Sequence, residues 1–155
     1  MSFFFIIDCF FSKNIQAFCF DEAGRKYGID PLLLKAISIT ESQLDPKAIN
    51  HNKNRLGKTV SSDYGLMQIN SYNISKLIKD GVISSKDELI NKPCLNVQVG
   101  AWVLASSFKI CGVNWICLGS YNAGFKKNEE KEIKRNNYAN KVYANYRKLL
   151  QIERG

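Results

Sequence analysis

Hydrophobic residues recur at helical spacing along most of this chain. Phe20, Ala23 and Tyr27 lie three and four positions apart and predict a short first helix. Gly28 follows them, and glycine is the residue that most often ends a helix. The segment 97–111 is apolar on more than one face, which is typical of a helix at the centre of a bundle. The pattern therefore predicts a mainly α-helical domain with a central buried helix.

A second helix is predicted from Asp30 to Ser42, and it carries the first candidate for chemistry. Asp30 is a favourable N-cap, and Pro31 fits the first helical position because its missing N–H costs nothing there. The buried face is marked by three residues at helical spacing: Leu33, Leu34 and Ile37. Glu41 lies four positions after Ile37 and falls on the same face. Burial would raise the pKa of its carboxyl group, as a general acid requires; the alternative is a glutamate that turns out to solvent.

The remaining helices are predicted from the same periodicity. Short helices are expected near 74–80, 85–89 and 115–121. Asn96 is predicted to cap the central helix, and a final basic helix is predicted to start at about Tyr138. Two polar segments, 43–63 and 125–137, lack periodicity and are predicted to be surface loops. No alternating run is long enough for a substantial sheet, so we expect little or no sheet.

The first 17 residues form an apolar segment that is too short to span a membrane. We interpret residues 1–17 as a signal peptide that ends at Ala17, followed by a single domain at 18–155. No Lys or Arg precedes the apolar run and Asp8 interrupts it, so a buried N-terminal strand or helix is the alternative. A signal peptide predicts export to the periplasm or cell envelope.

The net charge of the chain indicates which kinds of partner it can bind. Lys and Arg together number 22 and Asp and Glu 14, which gives a formal net charge of +8. This excess favours an anionic partner, such as nucleic acid, anionic lipid or a cell-wall polymer. No nucleic-acid reader motif is visible, so no specific nucleic-acid partner is predicted. No His/Cys cluster is visible either, and no metal or cofactor is predicted.

The chain contains five cysteines. Cys9 would leave with the signal peptide, and four would remain: Cys19, Cys94, Cys111 and Cys117. An even number suits disulfides in an oxidising compartment. Four cysteines allow three pairings, and their positions alone do not select one. The alternative is a set of reduced, buried cysteines in a cytosolic protein.

Three short blocks carry a resemblance to a known family. They are Glu41-Ser42, the block Ser-Asp-Tyr-Gly-Leu-Met-Gln-Ile-Asn at 62–70, and Ser-Tyr-Asn-Ala-Gly at 120–124. In this order and at these separations they resemble the signature of the soluble lytic transglycosylases, whose fold is like that of goose-type lysozyme. The resemblance covers roughly residues 19–150. It is closest to small single-domain members that accompany secretion, conjugation and pilus machines in bacterial envelopes.

The resemblance implies a reaction. Glu41 would act as both acid and base in cleaving the β-1,4 bond between N-acetylmuramic acid and N-acetylglucosamine in peptidoglycan. The C6 hydroxyl would replace water, which gives a 1,6-anhydro product without metal or cofactor. The chain would work as a monomer on glycan strands and serve a secretion, conjugation or pilus apparatus.

The resemblance also implies further site residues. The residues expected to bind the sugar or support the acid are Ser42, Gly65, Met67, Gln68, Asn70, Tyr121, Asn122 and Tyr138. The tyrosine matching Tyr138 holds the catalytic carboxylate in the family, although Tyr138 also fits a core position of the last helix. Cysteines at the positions of Cys19 and Cys94 form a pair in similar proteins, which would leave Cys111 to pair with Cys117.

Asp63 departs from the broader family, which often lacks a carboxylate before the Gly-Leu-Met-Gln run. A second carboxylate could serve as the base or electrostatic stabiliser that lysozymes use, and the product would then be a hydrolytic one. The structural alternative is an exposed turn residue. Beyond this hydrolase, the remaining alternative is a non-catalytic glycan-binding assembly protein on the same fold.

Overall fold

The computed structural model describes residues 18–155, and the predicted signal peptide at 1–17 lies outside the described residues. Within that range the chain forms helices with one small antiparallel sheet of strand order β1-β2-β3. In chain order the elements are α1 (Phe20–Tyr27), α2 (Pro31–Ser42), β1 (Ile49–Lys53), β2 (Thr59–Tyr64), β3 (Ile69–Asn70), α3 (Ser71–Lys79), α4 (Lys86–Asn91), α5 (Pro93–Cys111), α6 (Trp115–Ala123) and α7 (Glu129–Arg154). The mainly helical class with little sheet is confirmed.

Helix α2 begins and ends as its residues predict. The Asp30 carboxylate accepts a hydrogen bond from the Leu32 backbone N–H at 2.9 Å, which satisfies one of the free donors of the first turn. Leu34 and Ile37 are fully buried, and Leu33 is half-buried at the edge of the same face. This buried face fixes the rotation of the helix, and with it the direction of the last turn.

Helix α5 lies at the centre of the core. It packs against α1, α4 and α6. By length and mean hydropathy alone, the same helix would also be suitable for a membrane span. The largest fully buried side chains include those of Leu34, Ile37, Leu66, Met67, Leu104, Leu118 and Val142. They come from α2, α5, α6, α7 and the turn between β2 and β3. The helices that carry the candidate residues are therefore held by one continuous core.

The loop predicted at 43–63 is wrong in part, because this segment contains the hairpin of β1 and β2. β1 is exposed along its whole length, β2 is exposed at its start and becomes buried towards Tyr64, and both strands consist mainly of polar residues, so no apolar alternation predicts them. Cross-strand side-chain bonds hold them instead: His51 to Ser62 at 2.8 Å and Asn52 to Ser61 at 3.0 Å. Hydrophobic periodicity does not detect strands that are stabilised in this way.

Asn96 does not cap the central helix. The helix begins earlier, at Pro93, and Asn96 lies fully buried inside it. Its carboxamide accepts from the Met67 N–H at 2.8 Å and donates to the Tyr64 carbonyl at 2.9 Å. The side chain is therefore a buried brace between α5 and the β2–β3 turn.

The last helix also starts earlier than predicted, at Glu129 rather than near Tyr138. Asn128 accepts a hydrogen bond from the Lys131 N–H at 2.9 Å and caps the helix. Glu129, Glu130 and Glu132 lie in its first turn, where negative charge is favourable. The predicted loop at 125–137 is therefore mostly helix, because charged residues at helical spacing form a stable exposed face without apolar periodicity.

Two disulfides close the fold, and both match the predicted pairing. Cys19–Cys94 joins the residue before α1 to the first turn of α5, across 75 residues. Cys111–Cys117 joins the end of α5 to α6 across 6 residues.

Candidate active site

Glu41 lies in the last turn of α2, at the edge of a groove of about 380 Å³. Helix α7 forms the opposite wall, because α2 and α7 pack directly against each other. The groove is lined by Thr40, Glu41, Asn122, Lys134, Asn137, Tyr138 and Lys141. It is therefore a cleft with one carboxyl group, several amides and hydroxyls, and two cations.

A hydrogen bond from Tyr138 orients the Glu41 carboxyl group. The Tyr138 hydroxyl donates to Glu41 Oε1 at 2.6 Å, although the two residues are 97 positions apart in the chain. The pKa of Glu41 is raised from 4.5 to about 7: burial raises it most, the Tyr138 hydrogen bond partly opposes this, and the negative charge of Asp63 raises it further. A carboxyl group with this pKa is substantially protonated near neutral pH, as a proton donor must be.

Two neighbouring tyrosines form one wall of the site. The rings of Tyr121 and Tyr138 lie 6.4 Å apart and nearly parallel, and the Tyr121 hydroxyl donates to the Met67 carbonyl at 2.7 Å. Burial, followed by the charge of Glu41, raises both tyrosine pKa values well above 10. Both hydroxyls consequently stay protonated, and Tyr138 remains a donor to Glu41.

Gly119 explains how α6 and α7 bring these tyrosines together. A Cβ atom at this position would lie 2.4 Å from the Arg135 carbonyl oxygen and 2.6 Å from its Cα. Only glycine permits so close an approach of the two helices. The packing of α6 on α7 therefore depends on a residue two positions before Tyr121.

Asp63 lies in strand β2 and is half-buried, so it is not an exposed turn residue. Its Oδ1 accepts from Asn70 Nδ2 and its Oδ2 from Asn52 Nδ2, each at 2.7 Å. Among residues 18–155 no hydrogen bond joins Asp63 to Glu41; their interaction is electrostatic. The Asn70 side chain also accepts from the Tyr72 N–H and caps α3.

The turn between β2 and β3 is buried in the core, and its residues 65–68 do not line the groove. Gly65 has φ +74°, and a Cβ there would lie 2.3 Å from Asn96 Nδ2. Gln68 is buried, with its amide nitrogen donating to the Gly65 and Ala48 carbonyls and its oxygen accepting from Asn50. These hydrogen bonds stabilise the conformation of the turn.

Met67 and Ser42 join this turn to α2. The Met67 side chain is fully buried, and its sulfur accepts from the Ser38 hydroxyl at 2.9 Å. Met67 is thus placed in the core rather than in the cleft wall. Ser42 donates to the Leu66 carbonyl at 2.8 Å, one residue after Glu41. The turn therefore fixes the end of α2 and, through the Met67 carbonyl, the Tyr121 hydroxyl.

The structure brings Glu41, Asn122 and Tyr138 together in the groove. Asp63 lies close enough to raise the pKa of Glu41, and the ring of Tyr121 stacks on that of Tyr138. Sequence reasoning missed four lining residues: Thr40, Lys134, Asn137 and Lys141. Lys134 and Asn137 lie at −4 and −1 from Tyr138, in the part of α7 that was predicted to be a loop, whereas Lys141 lies at +3, in the part that was predicted to be helix. Among the described residues no group of three or more His, Cys, Asp or Glu side chains could hold a metal ion.

Comparisons with known proteins show what this chain is similar to. The family model described as Transglycosylase SLT domain matches residues 18–144. A Peptidoglycan-binding-like protein of Escherichia coli O157:H7 is 43% identical over 135 residues, which cover 87% of this chain and 80% of that protein. Invasion protein IagB of Salmonella typhi is 40% identical over 151 residues, which cover 97% of this chain and 89% of that protein.

A solved structure supports the fold alone. It is an inactive glutamate-to-glutamine mutant of lytic transglycosylase Slt from Pseudomonas aeruginosa, and it superposes with a TM-score of 0.60 at 19% identity. The match covers 86% of this chain and 24% of that much longer one.

Proposed function

Because this chain belongs to the transglycosylase SLT domain family, we propose that Glu41 alone supplies the acid and base for cleaving the β-1,4 glycosidic bond of peptidoglycan, with release of a 1,6-anhydro product. The observation that carries the proposal is the hydrogen bond from Tyr138 to a Glu41 whose pKa is about 7, inside a groove. An acid with this pKa can donate a proton at neutral pH and take one back in the next step.

The reaction follows from these properties. Protonated Glu41 gives its proton to the oxygen that leaves from C1 of N-acetylmuramic acid, and the C1–O bond breaks with an oxocarbenium-like transition state. The resulting carboxylate takes the proton of the C6 hydroxyl as that oxygen bonds to C1. The anhydro ring closes, no water is consumed and Glu41 ends protonated. Tyr138 holds the carboxyl group throughout, which limits the rearrangement that each proton transfer requires.

The surroundings of Asp63 favour an electrostatic role for it. Its two oxygens accept hydrogen bonds from Asn52 and Asn70, which hold the carboxylate in strand β2, and within residues 18–155 no hydrogen bond joins it to Glu41. Its negative charge raises the pKa of Glu41. A lysozyme-like hydrolase would instead require Asp63 to act as base or nucleophile.

Mass spectrometry of the products from purified peptidoglycan tests the mechanism. We expect anhydro ends from the unmodified protein, loss of product in Glu41→Gln, and a modest loss with anhydro ends in Asp63→Asn. Reducing ends together with a large loss in Asp63→Asn would show the hydrolase instead. Full activity in Glu41→Gln would refute the catalytic assignment, and binding of glycan without any cleavage would indicate an assembly protein.

We also propose that the enzyme is exported and opens the wall for a secretion, conjugation or pilus apparatus. The support is a relative named Invasion protein IagB, 40% identical across nearly the whole chain, and the apolar segment at 1–17. N-terminal sequencing of protein recovered from the cell envelope should begin near Phe18. Recovery of the uncleaved chain from the cytosol would contradict export, and normal assembly of such an apparatus in a Glu41→Gln strain would contradict the role in opening the wall.

A further inference from the structure

Two lysines of α7 face the same groove as the acid. Lys134 lies four positions before Tyr138, and Lys141 lies three positions after it, so all three side chains share one face of the helix. At 1.5 Å rise per residue the Cα atoms of the two lysines are about 10 Å apart along the helix. Tyr138, the residue that holds Glu41, stands between them. A glycan strand that lies in the groove along the axis of α7 would therefore pass Glu41 and both ammonium groups.

The charges of these lysines are available to a ligand. Lys134 pairs with Glu130 at 2.7 Å, but the two side chains are 52% and 72% exposed, and an exposed pair of this kind contributes little. Lys141 has no ion-pair partner among residues 18–155. Apart from Glu41, the other groove-lining side chains are neutral: Thr40, Asn122, Asn137 and Tyr138. The groove thus holds two cations and a single carboxyl group.

These cations do not tune the acid. Burial, the Tyr138 hydrogen bond and the charge of Asp63 account for the raised pKa of Glu41, and neither lysine is among the causes. An ammonium close to the carboxyl group would lower its pKa and weaken its ability to stay protonated. The lysines line the groove without this cost, so their charge can be directed at the substrate.

We propose that Lys134 and Lys141 form a carboxylate-binding wall that makes the groove selective for acidic glycan strands over neutral ones. This rests on the proposed function. N-acetylmuramic acid carries a lactyl group whose carboxyl is either free or extended by a peptide with carboxyl groups of its own, whereas a polymer of N-acetylglucosamine alone has none. Acidic groups occur once per disaccharide, a repeat comparable in length with the spacing of the two lysines. The two lysines therefore recognise N-acetylmuramic acid, the sugar whose C1–O bond is cleaved.

The test combines protein variants with chemical neutralisation of the substrate. The Lys134→Gln/Lys141→Gln double variant is compared with Lys79→Gln/Lys109→Gln, which removes the same net charge at exposed positions outside the groove. Each protein is assayed on native glycan strands and on strands whose carboxyl groups have been amidated. Strands freed of peptide by an amidase form a third arm, and they show whether the lactyl carboxyl alone is sufficient.

We expect KM on native strands to rise by roughly five- to tenfold in the groove variant, as expected for losing two exposed charge contacts. The kcat and the alkaline limb of the pH profile should not change, and on amidated strands the groove variant should equal the unmodified protein. An equal loss on native and amidated strands, or the same loss in the control variant, would overturn the proposal.

A second readout separates this proposal from the proposed function. Equilibrium binding of native and amidated strands is measured directly, without any cleavage. Preference for native strands that disappears in the groove variant supports the wall even if no bond is broken, in which case the catalytic proposal alone fails. Equal binding of both strands by the unmodified protein refutes the wall even if cleavage proceeds normally.

Discussion

The raised pKa of Glu41 makes the stability of the protein depend on pH. The folded protein holds the Glu41 proton up to about pH 7, whereas the unfolded chain releases it near the ordinary value of 4.5. Between these values the folded state binds more protons, so the free energy of unfolding falls as pH rises from about 4.5 to 7. Burial of a charge at this position opposes folding above pH 7.

Glu41→Gln should remove that penalty while abolishing the chemistry. Activity should fall by on the order of a hundredfold or more, because an amide cannot protonate the leaving oxygen. The free energy of unfolding should exceed that of the unmodified protein by roughly 2 to 3 kcal/mol at pH 8 and match it at pH 4. Urea unfolding at the two pH values measures this. A variant that is less stable at pH 8 would show that the charged carboxylate is favourably held.

Tyr138→Phe should separate positioning from acidity. In the unmodified protein the hydrogen bond from Tyr138 lowers the pKa of Glu41. Removing this bond should therefore raise that pKa. The alkaline limb of the kcat/KM profile should then move to higher pH, while kcat falls by about tenfold because the carboxyl group loses its orientation. Tyr143→Phe, an exposed tyrosine of the same helix, serves as the control. A shift to lower pH would contradict this role for Tyr138.

Among the structural elements, α5 and the β2–β3 turn depend on one buried carboxamide. Asn96→Ala leaves the Met67 N–H and the Tyr64 carbonyl without their partners, and we expect a loss of roughly 2 to 4 kcal/mol in the free energy of unfolding. Asn136→Ala, at an exposed position of α7, should change it by less than about 0.5 kcal/mol. Equal effects of the two substitutions in urea unfolding would contradict the brace.

The elements that could be predicted from the sequence are those whose signal is apolar and local. The N-cap and the buried face of α2 were confirmed because Asp30, Leu34 and Ile37 act within three turns of one helix. The β1–β2 hairpin was missed because polar side chains pair across it, and the first turns of α7 because charge rather than hydrophobicity stabilises them. Missing those turns also concealed Lys134 and Asn137, since both lie within them.

The roles of candidate residues were harder to predict than their identities. Gln68 and Met67 were expected to bind sugar, but their side chains are buried and do not line the groove. Spacing along a chain does not tell which side of a tight turn faces a cleft. Here Gln68 has φ +47°, an uncommon backbone conformation for this residue type that the local pattern does not indicate.

At the scale of the whole molecule, the two disulfides should contribute unequally. The Cys19–Cys94 bridge closes 75 residues and Cys111–Cys117 only 6, and the entropy removed from the unfolded chain grows with the length of the loop. Replacing Cys19 and Cys94 by serine should lower the free energy of unfolding by roughly 4 kcal/mol, and the corresponding change at Cys111 and Cys117 by less. Denaturant unfolding of the two variants compares them, and an equal loss would contradict the entropic account.

A count of thiols checks the same bridges in the unmodified protein. We expect no free thiol in the mature protein from the envelope, since Cys9 would have left with residues 1–17. Four free thiols there would contradict both disulfides.

The hydrogen bond between Tyr138 and Glu41 joins α2, the second helix of the domain, to α7, its last helix. Ribosomes make α2 long before α7, and a growing chain folds from its N-terminal part first. Until residue 138 has emerged and α7 has docked, Glu41 has neither its donor nor the far wall of its groove. With Glu41 as the proposed proton donor, we expect the nascent or unfolded polypeptide to be inert. Cleavage of the wall would then begin only where and when folding of the chain is complete.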